Sequence, residues 1–188
     1  MTFDEFVADL GERVDRLAPR PKAAVFWLTG TALRAGLSAA ESAGWSDWFG
    51  QVSDRSIDFI VDGRVGDDVP SLWERVSVST WPEPSQRLLA TVVCVSSPLA
   101  IALEPEKKVG SWLEHALFPV IEQVSLELFE DVVFPDDAGL DEVFADERVQ
   151  AAGAYCHALC TSLEQYPTVN HEKLHELRAG SDILSGTA

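Results

Sequence analysis

Positive charge is the scarcest commodity in this chain: 14 lysines and arginines stand against 31 aspartates and glutamates, a formal net charge of −17. A protein of that sign gains nothing from releasing counterions around nucleic-acid phosphates, so direct binding to DNA or RNA is excluded, and an anionic membrane surface is disfavoured for the same reason. Cysteine is also sparse. Cys94, Cys156 and Cys160 are odd in number, lie in apolar stretches and form no C-x-x-C pair, which suits reduced thiols rather than a disulfide framework. The opening "MTFDEFVADLGERVDRLAPR" has neither the basic start nor the apolar core of a signal peptide, and the expected location is the cytoplasm. No apolar run reaches the ~20 residues that span a bilayer. The longest, Leu88 to Leu103, holds two serines and a proline and reads as a buried core element. The G-x-S-x-G elbow, the phosphate-binding G-x-x-x-x-G-K-[ST] loop and the G-x-G-x-x-G turn are all missing, as is any repeat of fixed period.

What is there is a globular composition: 188 residues, 46% hydrophobic and 24% charged. A chain of this length buries roughly 70% of its unfolded surface, so residues 1–188 are expected to form one domain without a disulfide, metal or cofactor. The periodicity is helical. Thr2 and Glu5 form a capping box ahead of Phe3, Phe6, Val7, Leu10, Val14 and Leu17, and "PRP" at 19–21 ends that run. A second helix is expected over Lys22 to Ser42, where Gly30 and Gly36 permit close packing, and a third from "GWSDW" to a stop at Gly63. Residues 63–84 read as an irregular connection with one short helix at "SLWERVSV". "PSQRLLATVVCVSSPLAIALE" is apolar on all sides, as a central helix should be. Within it "TVVCV" also fits a buried strand, although no partner strand with period-two alternation occurs. Ser111 and Glu114 form a second capping box before a helix that Pro119 kinks or restarts, and "FPDDAGLDE" reads as an interruption. Helices over Val149 to Leu163 and Asn170 to Ala179 follow, with 180–188 a flexible tail. The expectation is an all-α, compact bundle of seven to eight helices.

Three features carry candidate chemistry. "HEKLH" at 171–175 matches H-E-x-x-H, in which two histidines four apart share a helical face, bind one Zn²⁺ and leave the intervening glutamate to activate its water. Against a zinc hydrolase using His171, Glu172 and His175 stand the lack of a distant third ligand and the charged neighbours Lys173, Glu176 and Arg178. The hydrolase is therefore the alternative reading. The second feature is tryptophan: of six, Trp45, Trp48 and Trp81 are candidates to line a groove. The third is the acidic run 130–147, "EDVVFPDDAGLDEVFADE", with eight carboxylates and no basic residue. Its Asp136, Asp137, Asp141, Glu142 and Phe144 are candidates to contact a basic protein partner, although a solvated loop would look the same. A homodimer is compatible with all of this.

"GWSDW" with "DRSIDFIVDG", "WLEHALFPVIEQVSLELF" and "DERVQAAGAYCHALCTSLEQ" resemble, in order and spacing, elements of the YjaG-like family of bacterial all-helical proteins of unknown function. The resemblance implies an all-α fold and makes the tail helix a structural element, and it brings no catalytic residues. The expected function is non-enzymatic: a protein–protein interaction or immunity-type regulatory protein using its acidic surface.

Overall fold

The computed structural model describes residues 2–78, 85–129 and 137–178 together with Leu184. Among them the regular structure is entirely helical: α1 (Phe3–Arg16), α2 (Pro19–Ala35), α3 (Ala39–Ser42), α4 (Ser46–Ile57), α5 (Val69–Val78), α6 (Gln86–Leu103), α7 (Phe118–Phe129), α8 (Asp137–Phe144), α9 (Glu147–Glu164) and α10 (His171–Arg178). A π-helical turn, Asp58–Asp62, extends α4, and a 3₁₀ segment, Gly110–Ala116, precedes α7. The count exceeds eight because the helix expected over Lys22 to Ser42 ends at Ala35, before Gly36, and α3 follows as a separate turn, and because α8 is a short helix in a stretch that reads as an interruption. The connection over 63–84 contains α5, its residues 79–84 lying outside the described part, and of the tail 180–188 only Leu184 is described, fully buried in the core.

The helix ends follow local chemistry. Thr2 Oγ1 accepts from the Glu5 backbone while the Glu5 carboxylate accepts from the Thr2 backbone, closing the expected box. "PRP" both ends α1 and starts α2, since proline at the first helical positions gives up only an amide that has no intrahelical partner. Gly63, with φ of 71°, turns the chain out of the π turn in the left-handed region that a Cβ disfavours. There the Arg20 guanidinium donates to the carbonyls of Ile60, at 2.7 Å, and Val61. Ser111 does not cap a helix. The 3₁₀ segment starts at Gly110 without a side-chain cap, because Asp15 Oδ1 on α1 accepts from both the Val109 and Gly110 amides at 3.0 Å. Pro119 falls in the first turn of α7, which restarts the helix after the 3₁₀ segment.

α6 is the centre of the packing and settles "TVVCV" as helix. One side, with Ala90, Cys94 and Ile101, joins the larger core built from α1, α2, the 3₁₀ segment, α7 and α9. The other, with Leu88, Val92, Val95 and Leu99, joins Trp48, Phe49, Val52, Val69 and Leu72 from α4 and α5. A helix apolar all round is what such two-sided burial requires. Its main partner is α2, and the approach is close enough that a Cβ on Gly30 would stand 2.7 Å from the Val95 backbone nitrogen. α6 is long and apolar enough by length and composition to cross a membrane, at a mean hydropathy of 1.6, yet 67% of it is buried inside the fold. The 3₁₀ segment abuts α1 in the same way, with Gly110 set directly against the Gly11 carbonyl, where a side chain would collide with backbone.

Asp15 also faces Lys22, an almost wholly buried ammonium 3.7 Å away that donates to the Lys107 carbonyl. All three cysteines are buried and free. Burial pushes the Cys94 and Cys160 thiols up to about 12 and that of Cys156 higher still, so none is a ready nucleophile.

Candidate functional site

The acidic run is only partly a loop. Leu140, Val143 and Phe144 fall at helical spacing and give α8 an apolar stripe, with Val143 and Phe144 buried. The Phe144 ring lies 5.7 Å from Phe3 and 5.1 Å from Phe6. Phe144 is thus a core residue that anchors α8 to α1 and is not available to a partner. On the outer side Asp141 and Glu142 are exposed, and Asp141 Oδ1 accepts from the Phe3 amide at 3.1 Å, acting as a cap for α1 from another helix. Asp137 begins α8, and Asp136 lies outside the described residues.

This docking places α8 against the acidic first turn of α1. A hollow of about 220 Å³ lies at the seam, lined by Thr2, Phe3, Asp4, Leu140 and Asp141. Glu114, on the 3₁₀ segment, belongs to the same electrostatic neighbourhood: burial first, and the charge of Asp4 second, push its carboxyl above the usual range. Carboxylates from three elements far apart in sequence therefore converge. The acidic run contributes Asp141, while Asp4 and Glu114 come from stretches that local charge reading passes over. At the other end of the run, Asp146 is occupied internally, capping α9 and pairing with Arg148.

The other candidates separate. His171 and His175 are both exposed on α10, and no group of three or more metal-ligating side chains occurs among the described residues. A catalytic zinc needs a third protein ligand and an enclosed setting, and neither accompanies this exposed pair among the described residues. Leu174, between them, is buried and ties the helix down. Trp48 is fully buried, its indole nitrogen donating to the Leu72 carbonyl at 3.2 Å, which makes it core and not groove. Trp45 is half-buried and packs edge-on against it, while Trp81 lies outside the described residues.

Among the described residues, Trp73 on α5 and Trp112 on the 3₁₀ segment line a hollow. With Val76, Val93, Ser96 and His115 they enclose about 280 Å³, their rings nearly parallel at a tilt of 9° and a centroid distance of 6.2 Å. Sequence reading passed them by, although a tryptophan on an isolated short helix in a Pro- and Gly-rich stretch, with few apolar neighbours of its own, was a usable signal.

No protein-family model matches the chain, and no curated protein matches it in sequence. Among solved structures the chain is similar to the crystal structure of a DUF416 family protein from Shewanella baltica, with a TM-score of 0.66 and 19% sequence identity over 93% of this chain and 92% of that one. At that identity the likeness concerns the fold: this chain shares its all-helical architecture with a member of a family of unknown function.

Proposed function

We propose that the protein is a non-enzymatic interaction protein, of regulatory or immunity type, that presents the acidic seam between α1 and α8 to a basic partner protein. The observation that carries the reading is the convergence of Asp4, Glu114 and Asp141 from three elements, with Glu142 exposed beside them on α8. Like charges gathered in one place oppose folding, and lysines or arginines of a partner would relieve that repulsion on binding. Exposed carboxylates also steer a basic partner over a distance of about 8–10 Å at ordinary ionic strength. A cytoplasmic setting belongs to the same proposal, supported by the three buried free thiols and the buried α6. So does kinship with YjaG-like proteins, with which an all-helical fold is compatible.

The test is affinity capture at low salt with wild type and with a variant in which Asp4, Glu114, Asp141 and Glu142 are changed to Asn or Gln. Wild type should retain a basic protein that the variant loses and that raised salt releases from wild type. Recovery of the same partner on both would remove the acidic seam from the interaction.

A further inference from the structure

We propose that the hollow between α5, α6 and the 3₁₀ segment is a binding site for a small, uncharged aromatic molecule of one or two rings whose edge carries a hydrogen-bond acceptor. The hollow shares no lining residue with the one at the acidic seam. At about 280 Å³ the hollow lies at the lower end of small-molecule sites, which sets the ligand size. Its walls set the ligand shape. Trp73 and Trp112 stack nearly parallel, Lys107 Nζ stands over the Trp112 ring at 5.9 Å, and Val76 and Val93 complete an apolar lining, so a flat π-system has indole edges and an apolar wall to pack against.

The polar groups set the chemistry. Ser96 contributes little, because its hydroxyl already donates to the Val92 carbonyl at 2.7 Å within α6. His115 is different: Nδ1 is shut off from solvent and has no hydrogen-bond partner, and the ring is held edge-on against Phe118 at 4.9 Å. Burial lowers its pKa and keeps the imidazole neutral at pH 7. A neutral imidazole carries one proton. Placing it on the enclosed Nδ1 would bury an unpaired N–H, so the tautomer with the proton on Nε2 is favoured. His115 lines the hollow, so the imidazole Nε2–H is the donor of the wall, and a matching ligand supplies an acceptor. With a protein net charge of −17, a neutral ligand is favoured over an aromatic carboxylate.

Two isosteric probes test this by ligand-observed NMR and calorimetry: quinoline, which has a ring-nitrogen acceptor, and naphthalene, which has none. Wild type should bind quinoline saturably below about 1 mM. Trp112→Ala should weaken it at least about tenfold, and so should Val93→Trp, which fills the hollow and leaves the indole wall in place if Trp112→Ala proves unstable. His115→Phe should cost quinoline about fivefold, the effect of one hydrogen bond, and leave naphthalene unchanged. Absence of saturable quinoline binding, or binding unaffected by Val93→Trp, would overturn the site. Equal losses for both probes in His115→Phe would overturn the acceptor requirement.

Discussion

The Asp15–Lys22 node makes a demanding test of how α1, α2 and the 3₁₀ segment are held together. Asp15 accepts two backbone N–H groups at 3.0 Å, from Val109 and Gly110, and stands 3.7 Å from a Lys22 ammonium whose side chain is 4% exposed. Asp15→Asn keeps an oxygen for the amides but removes the charge opposite a buried cation. Removing one member of a buried pair costs about 3–5 kcal/mol. Lys22 retains the Lys107 carbonyl and Asp15 is 22% exposed, which lowers the expected loss to about 2–3 kcal/mol. That is a large share of the ~5–15 kcal/mol typical of a domain and corresponds to a fall in Tm of about 4–12 °C at this size. Asp15→Ala should cost more, since two amides then lose their acceptor at about 1–3 kcal/mol each. Lys22→Met should be milder than Asp15→Asn, because Asp15 keeps its two amide donors. The decisive assay is a double-mutant cycle by urea unfolding, followed by circular dichroism and tryptophan fluorescence. Combining Asp15→Asn with Lys22→Met should recover about 1–3 kcal/mol relative to the sum of the singles. Additivity within about 0.5 kcal/mol, or a loss below that size for Asp15→Asn alone, would refute the coupling.

Two glycine substitutions should differ in sign. Gly30→Ala meets the Val95 nitrogen and the Cys94 carbonyl carbon at 2.7 and 3.0 Å, both backbone. Overpacking of about 1–3 kcal/mol or more then outweighs the helix preference of about 1 kcal/mol that alanine brings. Gly50→Ala on α4 meets nothing within 4 Å and should stabilise by up to about 1 kcal/mol in the same denaturation assay. A third prediction concerns acid. His157 accepts from Arg13 at 2.8 Å, rests edge-on against Phe6 and lies 3.8 Å from Asp9, while Arg13 also binds Thr161 and Glu164. Burial and Arg13 lower its pKa from 6.5 against the opposing pull of Asp9. The unfolded chain therefore takes up the proton first as pH falls, so the stability this group confers is present above pH 6.5 and lost below it. Chemical denaturation from pH 7.5 to 5 should show a steeper fall for wild type than for His157→Gln, and parallel profiles would sink the assignment.

Much of the helical fold was legible because its signals are local. The Thr2 box, the Gly63 stop, the Asn170 cap and the all-round apolarity of α6 each act within a few residues, and each falls where it was read. The misreadings occur where a distant residue decides. Ser111 and Glu114 have capping-box spacing, but Asp15 of α1 takes the preceding amides and the segment winds as 3₁₀. α8 hides among Asp, Gly and Pro because its stripe is short and is completed only by Phe3 and Phe6. The candidate site was legible in the same proportion. Asp141 and Glu142 stand out as charge, whereas the convergence of Asp141 with Asp4 and Glu114, and the stacking of Trp73 and Trp112, exist only once the helices are packed.

A helix that serves as the common wall of two apolar clusters also decides how the molecule comes apart. Neither the α4–α5 side nor the larger side can expose its core without stripping one face of α6, so opening either leaves α6 half-solvated and apolar. Amides along α6 should therefore exchange with solvent only through global unfolding, and the two clusters should melt in a single transition. A single melting transition is the expected outcome even though the packing forms two clusters.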